Sequence, residues 1–167
     1  MALTSKLIAQ IIATESGTLD LGTKQAKVSA SYSQDLASGT GSAAADMIWT
    51  DERTLTASSN EDLDLAGSLA GAFGNTLTFA KIKAILVIAA SGNTNDVVVG
   101  GAGSSAFTGP FNANTSTVSV KPGGVFMIGH PGTGWTVTAT SGDLLRVANS
   151  SSGTSVTYKI VLIGTSA

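Results

Sequence analysis

The residues that could do chemistry are few, and each stands without the companions its chemistry needs. Histidine occurs once, as His130 between Gly129 and Pro131. A general base needs a group to orient it and a metal-binding histidine needs further ligands, so His130 reads as a turn residue. No Gly-x-Ser-x-Gly elbow surrounds any serine, which removes the most recognisable nucleophile arrangement. Gly100-Gly101-Ala102-Gly103 has the glycine content of a phosphate cradle, because glycines let backbone amides approach an anion. No Lys-Ser or Lys-Thr follows, and the segment opens a polar loop, so a hinge is the expectation. Glu61, Asp62 and Asp64, with the Asp51-Glu52 pair, could offer oxygens to a hard cation or serve as a glycosidase pair. The calcium-loop pattern is absent, however, and Asp62 and Asp64 on one strand face have no third ligand. A sugar groove would want aromatics, and the chain has only Trp49, Trp135, Tyr32 and Tyr158 besides its phenylalanines. With no cysteine, disulfides, thiolate chemistry and the common structural zinc sites are removed together. The expectation is a protein with no catalytic residue, no cofactor, no metal site and no small-molecule substrate.

The elements that would position any such site are strands. Leu77 to Ala90 is the central stretch, with Leu77 and Phe79 on one face, then Ile82, Ala84, Leu86 and Ile88 on one side and Ile85 and Val87 on the other. It predicts one long strand, with a bulge near Ala80 where the parity changes, turning back through Ser91–Asn95 as a hairpin into Val97-Val98-Val99. Leu63 and Leu65 alternate with acidic residues, which is the pattern of a half-buried strand. Gly100 to about Thr115 reads as a flexible loop. Beyond it, turn signals at Pro122-Gly123-Gly124, His130–Gly134, Ser141-Gly142-Asp143 and Ser150–Gly153 recur at the spacing of a β-sandwich or barrel. The fold expected is all-β, an antiparallel β-sandwich of jelly-roll type over 46–167, carrying an extended N-terminal arm over 1–45.

In the arm, Leu3, Leu7 and Ile11, with Ile8 and Ile12 beside them, stand at helical spacing and predict a short helix. Such a helix is too short to hold alone in water, so these five residues are the candidate interface. Ser16 to Ala45 is too poor in large apolar groups to fill a core and reads as an extended stem, interrupted by the weak alternation Ala26–Tyr32.

Composition bounds the partners. Charged residues make up 12% of the 167 residues, about half the usual share, and mean hydropathy is +0.29. Much of the surface is therefore expected to be covered. No apolar run reaches the ~20 residues of a membrane helix, so the cover is protein and not lipid, and a homotrimer is the expected form. Scattered Lys and Arg and a net charge of −2 give no basic stripe for nucleic acid.

Ile48-Trp49-Thr50-Asp51-Glu52-Arg53, Glu61-Asp62-Leu63-Asp64-Leu65-Ala66-Gly67, Leu77–Lys83, Asn93-Thr94-Asn95, Lys121-Pro122-Gly123-Gly124, Asp143–Asn149 and the ending Ile163-Gly164-Thr165-Ser166-Ala167 together resemble a group of small tailed-bacteriophage virion proteins. The resemblance covers roughly 46–167. It implies a structural part of the particle, most like a capsid decoration (cement) protein on the capsid surface, with the major capsid protein or other virion proteins as partners. The competing expectation is a receptor- or glycan-binding module of a tail fibre or baseplate, presenting the loop from Gly100 to Thr115. Copy number per particle separates the two.

Overall fold

Period-two alternation governs this chain from its first strand to its last. The computed structural model describes residues 2–167, and among them there is no α-helix. Two long strands, β1 (Ser5–Leu19) and β2 (Gly22–Ser38), form a hairpin that leads through β3 (Ala44–Ala45) into the body. The body then runs β4 (Met47–Leu55), β5 (Asn60–Asp64), β6 (Leu69–Ala70), β7 (Thr76–Leu77), β8 (Lys81–Ala89), β9 (Val97–Gly100), β10 (Thr117–Val120), β11 (Val125–Gly129), β12 (Trp135–Thr136), β13 (Leu144–Asn149) and β14 (Val156–Thr165).

Two antiparallel sheets make the sandwich. One has the order β11-β8-β14-β4, with β12 also on β8, and the other has the order β10-β9-β13-β5. Alternate residues of each sheet turn inward to one core, where Val87, Tyr158, Ile160 and Leu162 meet Val99, Leu63, Leu145 and Val147. Trp49 joins this core at the edge strand β4.

Three expectations are corrected. Of the apolar residues near the N-terminus, Leu7, Ile8, Ile11 and Ile12 lie on strand β1 and Leu3 just before it, not on a helix. A spacing of four satisfies both periods, because it is one helical turn and also two strand repeats, and pairing with β2 decides between them. The stretch Leu77–Ala90 is not one strand: β7 and β8 are separated at Thr78–Ala80, and β8 does not form a hairpin with β9, because they belong to opposite sheets. The intervening turn is a corner held from the far side, with Asn93 bonding both the N–H and the C=O of Thr157, and Asn95 donating to Asn149 Oδ1 at 2.9 Å. Lastly, the loop after Gly100 is not free. Its Phe107 is buried in the core, and the Phe107 N–H donates to Leu144 O at 2.9 Å.

The change of parity takes two steps. After the break at Thr78–Ala80, β14 pairs Ile163 with Ala84 but Gly164 with Ile82, so Lys83 is the extra residue of a bulge. Core-facing positions thus pass from Ile82 to Ile85, Val87 and Ala89. Lys83 itself is buried to 1% exposure beneath the loops that carry Gly41 and Gly132.

Candidate interaction surface

Strands β1 and β2 pair without interruption from Ser5↔Leu36 to Leu19↔Gly22, closing through Asp20 and Leu21. At ~3.4 Å per residue such a ribbon is about 50 Å long. Because side chains alternate, its two faces are chemically different. One face carries Ala9 opposite Tyr32, Ile11 opposite Ala30, and Ala13 opposite Val28; the other carries Ile8 and Ile12 among Ser29, Ser31, Ser33 and Thr14. Among the described residues nothing covers the first face beyond its base: Ile11 is 70% exposed, Val28 59% and Leu19 53%.

The base of the hairpin is anchored. Leu7 and Leu36 are buried in a small cluster with Ala45, Ala84 and Ile163 on the outer side of the β8–β14 sheet, with Leu3 partly buried against it. The loop between β2 and β3 is fastened separately: the Ala43 N–H donates to Pro131 O at 3.0 Å, and the Lys83 ammonium donates to Gly41 O at 3.1 Å and to Gly132 O. Burial, with the nearby charge of Lys81, holds the Lys83 amine below its usual pKa.

Of the five candidate residues, Leu7 therefore lies in the anchor, Leu3 lies beside it, and Ile8, Ile11 and Ile12 project from the ribbon. The structure divides them: Leu7 and Ile11 share one face of β1, while Ile8 and Ile12 share the other. Sequence reasoning missed Leu19, Val28 and Tyr32. The alternation Ala26–Tyr32 is the signal for Val28 and Tyr32, and the strand that completes it, β1, brings in Leu19.

Next to the anchor the same sheet shows a second apolar area, with Val125 65%, Ile88 40% and Met127 39% exposed. A groove of about 300 Å³ runs between it and the ribbon, lined by Leu7, Ile8, Leu86, Met127 and Val161.

The polar candidates are engaged within the fold. Asp62 takes the Arg146 guanidinium on both oxygens at 2.7 Å. Glu61 binds Arg53 Nε at 2.6 Å and accepts from Tyr158, and Asp64 accepts from the Ala66 N–H at 2.9 Å. His130 sits edge-on to Trp135, with ring centroids 5.6 Å apart, and its Nε2 lies 3.2 Å from the Thr133 hydroxyl. At Gly100 a side chain would strike Ser116 O, 2.5 Å from the Cβ position, so this glycine serves a close approach of strands.

No family model, no curated protein and no solved structure matches the chain.

Proposed function

We propose that the chain is a non-enzymatic structural protein of a tailed-phage virion, a capsid decoration (cement) protein that stabilises the head by bridging subunits. In this reading it stands on the capsid surface as a homotrimer, and the major capsid protein or another virion protein is its partner. The observation that carries the reading is the hairpin. A two-stranded ribbon is marginal in water by itself, and this one also exposes an apolar face and two strand edges with unpaired backbone groups. A chain that maintains such an arm uses it to reach a neighbour. The low charge and the resemblance to tailed-phage virion proteins point the same way. The sandwich supports it too: its eight main strands, numbered in chain order, lie 1-8-3-6 in one sheet and 2-7-4-5 in the other. We read that order as a jelly roll, an architecture used by viral capsid and lectin domains. The competing reading, a receptor-binding module, leans on the loop after Gly100, and that loop turns Phe107 into the core.

Quantitative mass spectrometry of purified particles tests the proposal. Copies in the hundreds per particle are expected. A few to tens, or none, would overturn it.

A further inference from the structure

We infer that the apolar face of the hairpin is a self-association surface, on which the hairpin of a second copy of this chain lies parallel and in register, tips together. The inference rests on the reading of the hairpin as a subunit-bridging arm and names what the arm meets first.

Size complementarity comes from the pairing. Beyond the base, where Leu7 stands opposite Gln34, every rung of the apolar face joins one small and one large residue, and the large one changes strand at each step: Tyr32 opposite Ala9, Ile11 opposite Ala30, Val28 opposite Ala13. The zigzag continues to the tip, with Glu15 opposite Ala26, Lys24 opposite Gly17 and Leu19 opposite Gly22. Towards the tip a depression of about 270 Å³ is lined by Glu15, Ser16, Gly17, Lys24, Gln25 and Ala26, and the Lys24 side chain itself lies over Gly17, its Cε 2.8 Å from where a Cβ would stand.

Now place a second ribbon face to face with the first, related by rotation about an axis along the hairpin. Strand β1 of one copy then lies over β2 of the other, rung against rung. Ile11 meets the other copy's Ala30, Val28 meets its Ala13 and Tyr32 meets its Ala9, so each bulky side chain enters a hole. Sliding one ribbon by a single rung sets bulky groups against each other, so the register is specified. In a three-copy ring with the tips together, β1 of each copy adjoins β2 of the next, and the same rungs are matched at each seam.

Charge agrees. Glu15 and Lys24 make no ion pair within the described residues of the chain. In the paired arrangement the Glu15 of one copy falls on the same side as the other copy's Lys24, one rung (~7 Å of strand) away, within reach of two long side chains. The opposite face, with Lys6 paired to Asp35 at 3.4 Å and with Ile8 and Ile12 standing singly among serines and threonines, is left for water or for another protein.

The natural chain has no cysteine, so introduced thiols report geometry directly. Copies carrying Ala13→Cys are mixed with copies carrying Val28→Cys and oxidised, and the parallel experiment uses Ile12→Cys with Ser29→Cys on the other face. Cross-linking of the first mixture and not of the second is expected. Sedimentation should show Glu15→Lys raising the dissociation constant about tenfold, and the double variant E15K/K24E returning it towards the natural value. Circular dichroism and melting of the body, unchanged in every variant, separate these effects from misfolding. A natural chain that sediments as a monomer at micromolar concentration, equal cross-linking on both faces, or no recovery in the double variant would each overturn the inference. Copy counting on particles reads out independently: high occupancy by a protein monomeric in solution would sink the self-association and leave the virion role standing.

Discussion

Tyr158 shows how a single buried group ties the two sheets together. Its ring is fully buried, and its hydroxyl donates to Glu61 Oε1 at 2.5 Å, while Arg53 Nε holds the other oxygen at 2.6 Å. Burial first, and then the Glu61 carboxylate, push the phenol well above the usual tyrosine pKa. A group whose folded-state pKa is raised contributes stability that is complete below the unfolded value, near 10, and is lost as pH climbs past it. Melting temperature should therefore fall between about pH 10 and 11, and Tyr158→Phe should fall less over that interval. At pH 7 the same substitution should cost about 1.5–3 kcal/mol, the range for a hydrogen bond to a charged acceptor, measured by denaturant unfolding. An unchanged pH profile in Tyr158→Phe would show that other groups govern alkaline unfolding.

Among the elements, β8 and the hairpin depart most from their appearance in the sequence. The inward alternation of β5 and the turn signals between β10 and β14 are legible, because each strand there needs only its own pattern. The bulge at Lys83 is not fully legible: a lysine early in an alternating strand reads as exposed, and only the carbonyls of Gly41 and Gly132, far away in the chain, explain how it is buried. The start of the arm reads as a short helix for a similar reason, since Leu3, Leu7 and Ile11 fit both periods and the partner strand is serine-rich. Two substitutions test these elements. Gly164 sits at the register shift of β14, where a Cβ would strike Lys81 O and lie 2.7 Å from Phe79 Cδ1. Gly164→Ala should cost about 1–3 kcal/mol, the range for overpacking, read from the unfolding midpoint. Conversely, replacing Gln10–Ser31 by a two-residue turn keeps Leu7 and Leu36 in place and removes no buried residue. Its melting temperature should match that of the full chain, a change within ~0.5 kcal/mol. Leu7→Ala, which opens the buried anchor, should release the base of the hairpin and speed amide exchange at Gly39, whose N–H donates to Ala45 O across the β2–β3 loop, and at Ala43, whose N–H donates to Pro131 O.

At the scale of the whole molecule, the sandwich supplies its own stability and the hairpin supplies reach. The core between the two sheets is closed by the chain's own residues, whereas the ribbon and the outer face of the β8–β14 sheet leave apolar groups such as Ile11, Val28, Val125 and Ile88 uncovered. Low charge and positive hydropathy, read in the sequence as signs of a covered surface, thus have a location. Burying one such side chain is worth roughly 1.5–3 kcal/mol, so two anchors on a neighbour change affinity by about 10²- to 10⁴-fold before the cost of ordering is subtracted. The measurement that bears most directly on the arm as the bridging element is a titration of particles stripped of this protein, comparing the full chain with the chain whose Gln10–Ser31 has been excised. Binding at least tenfold weaker for the excised chain, with its melting temperature preserved, is the predicted result; equal binding by the two would contradict it.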